Sequence, residues 1–187
     1  MISVYDNFFP PILLEAVIKE LKTHKFYDDK KHPSMVEHKD QPVEDIYNAK
    51  WGGTRTLEIS QIAPVIDKLI LHLFQNLKHP FFQHEFRYLN YAHLRLEKDD
   101  AEDYIHQDIG VDFAYLVYLS ESNPESGTKM YESCDADKNE EGHFVEFITN
   151  RLVLFNANIP HMAWGSHGTN IDNGRLTING FCKYYEN

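Results

Sequence analysis

From Phe86 onward the chain is a succession of short apolar, often alternating runs parted by turn-forming clusters, and few folds can be built from that rhythm. The runs fall at 87–96, 113–119, 128–131, 144–147, 152–155 and 175–181. Between them lie stretches such as 122–127 and 166–174, where Ser, Asn, Asp, Gly and Pro favour turns. Asn150 separates two of the runs as a further turn residue. Many short strands at such spacing, after a helical opening, predict an antiparallel sandwich or jelly roll.

The opening itself is mixed. Residues 2–5 alternate and predict a short first strand. Pro10 and Pro11 stand where a helix tolerates proline, and Ile12, Leu13, Ala16, Val17, Ile18 and Leu21 recur at helical spacing. A second helix is expected from a Ser60 cap, with Ile62, Val65, Ile66, Leu69, Ile70, Leu73, Phe74 and Leu77 on its apolar stripe. Lys78-His79-Pro80 ends it. The 187 residues fit one domain, 1–187, with helical support over roughly 1–80 and a jelly-roll core over roughly 81–187.

Three segments are less regular. Residues 24–43 form a polar excursion in which His24, His32 and His38 match no compact zinc spacing and are expected in solvent. Residues 51–56, Trp-Gly-Gly-Thr-Arg-Thr, fit a turn and a substrate-covering segment equally. The acidic stretch 97–103 lacks the glycine and spacing of an EF-hand loop and is expected to be solvated.

A formal net charge of −11 weighs against a nucleic-acid groove, since phosphate binding is driven by Lys and Arg. Two cysteines, Cys134 and Cys182, are too few for a disulfide framework and point to a reducing compartment. The first residues lack the pattern of a signal peptide and no stretch is apolar enough to span a bilayer, so a cytoplasmic location and no membrane partner are expected.

The chemistry-bearing residues lie in the β-rich half. His106 and Asp108, two apart on a strand, would share one face. His161 follows 55 residues later, after two more strand-like runs, and Arg175 follows after another 14. Two histidines and one carboxylate make the facial triad of non-haem Fe(II) oxygenases, with coordination positions left open. A bidentate organic cosubstrate with a distal carboxylate then needs a cationic anchor, and arginine supplies a two-pronged one. Thr177 shares the face of Arg175.

In their order, His106-Gln107-Asp108, Tyr118-Leu119, Ser126-Gly127-Thr128, His161 and Arg175-Leu176-Thr177 resemble the Fe(II)/2-oxoglutarate-dependent dioxygenases, and among them the prolyl 4-hydroxylase-like branch. The resemblance covers the C-terminal half in detail, together with the N-terminal strand and helix. It implies a mainly β fold with packed helices, the double-stranded β-helix. It implies Fe(II) held by His106, Asp108 and His161, with Arg175 and Tyr118 on the distal carboxylate of 2-oxoglutarate and Thr177 as a second hydroxyl. The implied reaction uses O2, releases succinate and CO2 and hydroxylates an unactivated C–H bond. Related halogenases carry a small residue where Asp108 stands, which favours hydroxylation here. A prolyl residue in a peptide or protein fits the branch; a free amino acid or another small molecule is also open. The chain departs from the branch at 94–97, where a Tyr-x-x-Gly pattern is replaced, leaving Arg95 or Tyr91 as substitutes on that side. A zinc-type metallohydrolase and a non-catalytic metal-binding jelly-roll module are the alternatives; the first lacks an H-E-x-x-H helix, and Arg175 speaks against the second.

Overall fold

The structure is a computed structural model that describes residues 1–28, 31–33 and 51–185. Two antiparallel sheets carry it. The larger has six strands: β1 (Ile2–Tyr5), β2 (Thr54–Glu58), β3 (Phe86–Arg95), β4 (Phe113–Tyr118), β7 (Leu152–Asn156) and β9 (Arg175–Tyr184), in the order β1-β7-β4-β9-β3-β2. The smaller pairs β6 (His143–Phe147), β5 (Asn123–Met130) and β8 (His161–Trp164) in that order.

The alternation of β4 explains its unbroken apolar sequence. Phe113, Tyr115 and Val117 point into a core shared with the helices, where they meet Phe9, Leu21, Ile70 and Phe74. Ala114 and Tyr118 point the other way, into a second core with Val145, Phe147, Val153 and Phe155. A strand buried on both faces needs no polar residue on either. On β9 the same alternation sends Leu176, Ile178 and Cys182 toward the helices. It leaves Arg175, Thr177 and Asn179 on the inner face of the sheet.

Helix α1 (Pro11–Leu21) begins as expected, with Pro11 in its first turn, and buries Val17 and Leu21; Ile12, counted on its stripe, is exposed. The second helix is interrupted. A single turn, α2 (Ile59–Ile62), ends at Ala63, and α3 (Pro64–Asn76) starts afresh at Pro64. The proline drives the residue before it out of the α region, and Ala63 has φ −144° and ψ 61°. Ser60 is therefore no cap: its hydroxyl donates to Glu58 Oε1 at 2.5 Å. Val65 lies on the exposed face of α3.

Other expectations change with β2. Residues 54–58 are a strand rather than a turn, pairing with β3 at the edge of the large sheet. With β1 at the other edge, the N-terminal stretch thus supplies both flanking strands as well as helices. Residues 123–130, the first five of which were expected as a turn, form β5, with an irregularity between Asn123 and Gly127. His32 is buried rather than solvated; its Nε2 lies 2.9 Å from Thr56 O and its ring meets Trp51 and Tyr91 edge-on. Much of the polar excursion, including His38, lies outside the described residues. Asn150 holds the turn expected of it, with φ 66° and its amide bonded to both Phe9 N and Phe9 O at 2.8 Å. Cys134 and Cys182 are free thiols. Among the described residues no helix is long and apolar enough to cross a membrane.

Candidate metal centre and its polar floor

His106 and Asp108 do not sit in a regular strand. His106 makes one isolated bridge to His161, the first residue of β8: His106 N donates to His161 O at 3.0 Å and His161 N to His106 O at 2.8 Å. Asp108 N donates to Ala157 O at 3.0 Å. These bonds clamp the H-x-D segment against the β7–β8 connection, so the three side chains converge although they are distant in sequence. His106 Nε2 lies 4.0 Å from Asp108 Oδ1, and His161 Nε2 lies 3.6 Å from Asp108 Oδ2. One ligand atom from each residue falls within 4.8 Å of the others. Bonds of about 2 Å to a shared ion can bridge such separations after small side-chain rotations.

The histidine tautomers suit a metal. His106 Nδ1 is 3.1 Å from Tyr104 O, and His161 Nδ1 is 2.8 Å from Ile159 O. A carbonyl can only accept, so each Nδ1 carries the proton and each Nε2 turns its lone pair to the centre. Burial lowers the pKa of both rings to about 4, and for His106 the neighbouring His161 adds to the effect. Both rings are neutral at neutral pH. Burial raises the Asp108 pKa, opposed by His106 and by Arg55. A cation between the three would restore the carboxylate.

Behind the triad, the inner face of the large sheet is polar over β2, β3 and β9 and as far as Tyr118 on β4, whereas Ala114, Val153 and Phe155 line the second core. Arg55 on β2, His93 on β3, Thr177 on β9 and Tyr118 on β4 are register partners in one row. The neighbouring rows hold Arg95 opposite Arg175 and Tyr91 opposite Asn179. Arg175 is 2% exposed, although arginine is seldom buried so fully. Its Nη2 donates to Gly127 O at 3.0 Å, and its guanidinium lies 5.7 Å from the Tyr118 ring and 5.3 Å from that of Phe147. The fully buried Tyr118 donates its hydroxyl to Thr128 Oγ1 at 2.7 Å. Ser126 Oγ is buried near this corner with no hydrogen-bond partner among the described residues. Thr177 shares the face as expected, but its hydroxyl donates to Asn179 Oδ1 at 2.6 Å.

His93 was not singled out by sequence. It stands among Arg55, Arg95 and Arg175; burial and those charges push its pKa well down, and its Nε2 lies 2.7 Å from Gly52 O. Arg95, a possible cosubstrate contact from sequence, is spent on structure. It binds Ser166 Oγ at 2.9 Å, Gly52 O at 3.1 Å and Asp99 O at 3.2 Å, and pairs with Asp103 at 2.5 Å. The acidic stretch is thus partly an anchor rather than wholly solvated. Only the alternation of polar residues at 91, 93 and 95 hinted at this face.

No family model matches the chain, and no curated protein matches it. Solved structures do. HygX from Streptomyces hygroscopicus, with nickel, 2-oxoglutarate and hygromycin B bound, is 16% identical with a TM-score of 0.65, over 97% of this chain and 82% of its own. A Pseudomonas putida prolyl-4-hydroxylase is 17% identical with a TM-score of 0.59, over 99% and 93%. A prolyl hydroxylase from Trichoplax adhaerens, in complex with a hypoxia inducible factor peptide fragment, is 11% identical with a TM-score of 0.61, over 98% and 83%. These likenesses establish the fold: the chain has the double-stranded β-helix of the 2-oxoglutarate/Fe(II) oxygenases, as the sequence resemblance implied.

Proposed function

We propose that the chain, as a single oxygenase domain, is an Fe(II)- and 2-oxoglutarate-dependent dioxygenase that hydroxylates an unactivated C–H bond. The observation that carries this reading is the pairing of a convergent His106-Asp108-His161 triad with a buried arginine, Arg175, on the polar floor behind it. The donor set, two neutral imidazoles and one carboxylate, fits Fe(II) and leaves positions open. Arg175 and Tyr118 fit a distal carboxylate, and the unsatisfied Ser126 hydroxyl adds a donor at the same corner. When bound, the iron and 2-oxoglutarate supply the oxidising chemistry: one oxygen atom of O2 goes into succinate as CO2 leaves, and the other goes into the substrate. The chain's own part is to hold, orient and shield. His106 and His161 present fixed Nε2 atoms, and Arg175 fixes the far end of the cosubstrate. Thr177, tied to Asn179, shapes the floor between them.

For the substrate, the P. putida and T. adhaerens likenesses support a prolyl residue in a peptide or protein, or a related amino acid. The test is succinate release by the Fe(II)-loaded protein in air, with 2-oxoglutarate and a panel of prolyl peptides and free amino acids. The reading expects release that needs iron and one panel member and disappears in His161→Ala. Release unchanged in that variant would overturn it.

A further inference from the structure

The geometry points to Arg55 as the anchor for a carboxylate carried by the substrate, at the opposite end of the floor from Arg175. Three of the chain's five arginines, Arg55, Arg95 and Arg175, face this interior. Arg95 is neutralised by Asp103, and Arg175 sits in the corner assigned to the cosubstrate. Arg55 differs from both: among the described residues its side chain makes no hydrogen bond and no ion pair. Among the described residues its buried Nε has no acceptor, and neither has the indole N–H of Trp51, over whose ring the guanidinium lies at 4.5 Å. Phe181 flanks it at 5.7 Å. Two buried donors held side by side, both lacking acceptors, define a place for an anion, since leaving such groups unmet is costly.

The position relative to the triad fits a substrate group. The charges of Arg55 and Asp108 act on each other, and Arg55 is also felt by His106 and Tyr104. Its register partner His93 stands between it and Thr177, and Tyr118 closes the row at the far end. Burial lowers the Arg55 pKa to about 10, which leaves the guanidinium charged at neutral pH. Resting on the proposed function, a charge balance makes the need explicit. The dication, Asp108, the dianionic cosubstrate and Arg175 sum to zero, and Asp108 is then committed to the metal. The charge of Arg55 remains, and one carboxylate would meet it with two parallel N–H···O bonds. The carboxylate could belong to a free amino acid or to an acidic side chain of a peptide; both offer the same chemistry.

The test titrates matched probes into the full chain: N-acetyl amino acids against their primary amides, and pentapeptide amides with and without one Asp or Glu. Binding is read by calorimetry on the metal-free protein and again after anaerobic loading with Fe(II) and 2-oxoglutarate. Acids should bind at least about tenfold more tightly than their amides, as a charge-assisted bidentate bond warrants. That ratio should collapse to about one in Arg55→Gln and be partly kept in Arg55→Lys, with the 2-oxoglutarate Kd shifted less than about threefold. Preference for the small acids identifies a metabolite; preference for the acidic pentapeptides identifies a peptide. Equal binding of acids and amides, no binding of any acid, or an unchanged ratio in Arg55→Gln would overturn the inference. So would a rise of about tenfold or more in the 2-oxoglutarate Kd in Arg55→Gln, which would make Arg55 a cosubstrate residue. Because the ratio is also read without metal, a failure of the iron or 2-oxoglutarate loading counts against the oxygenase reading alone.

Discussion

Arg175 donates to the Gly127 carbonyl and lies against the Tyr118 and Phe147 rings at the back of the floor. Charge-assisted bonds to a carboxylate contribute about 1.5–3 kcal/mol, so Arg175→Gln should raise the 2-oxoglutarate Kd roughly 10- to 100-fold. Fe(II) affinity, measured by equilibrium dialysis, should stay nearly unchanged. A loss of iron with the cosubstrate would instead mean that the substitution disturbs the triad. His93 makes a second prediction. Its folded pKa is depressed by burial and by three arginines. The folded state keeps the ring neutral, while the unfolded chain takes up a proton below about pH 6.5. The stability it contributes is complete above that pH and is lost as the pH falls toward the depressed folded value. Thermal melts of the metal-free protein should therefore fall between pH 7 and pH 5, and the His93→Gln variant should show a shallower fall. The convergence of His106, Asp108 and His161 was legible in the sequence because the three residues follow a fixed order with a two-residue pair at its head. Arg55 and His93 were not, because nothing in residues 51–56 reveals that their partner is β3 or which face they share.

Among the elements, β9 shows how tightly packing is set. Gly180 faces Tyr115 across the sheet, and a Cβ placed there would fall 1.9 Å from the Tyr115 ring. That ring cannot retreat: Tyr115 donates to Asn90 and stands edge-on to Phe74 at 4.7 Å. Gly180→Ala should cost about 1–3 kcal/mol through overpacking, seen as a lower urea midpoint with an unchanged slope. A midpoint equal to the wild type would mean that the ring has room to move. Strands β3, β4, β6, β7 and β9 were legible from their own pattern, whereas β5 showed only its last residues and β8 fell outside the apolar runs. The break between α2 and α3 was visible in Pro64 but masked by an apolar stripe that continues past it, and the stripe proved the weaker signal. Strand β2 was hidden for another reason. An edge strand with glycines before it and polar residues on its inner face lacks the apolar alternation that marks a strand.

Across the whole molecule, an acidic chain surrounds a cationic interior. The formal charge is −11, yet the sheet face behind the triad gathers three arginines. An overall negative field repels free anions weakly through salt, so a dianion is drawn in only where the arginines converge. The two-sheet fold achieves this by giving one face of the large sheet to the helices and the main apolar core, and dividing the other between a second apolar core at β4 and β7 and the polar rows of β2, β3 and β9. The most direct measurement is the visible spectrum of the purified protein without oxygen, after Fe(II) and then 2-oxoglutarate are added. A weak charge-transfer band is expected in the wild type; it should disappear in His161→Ala and need more 2-oxoglutarate in Arg175→Gln. Iron that binds without any band on addition of 2-oxoglutarate would contradict the cosubstrate assignment, and absence of iron binding would contradict the metal centre itself.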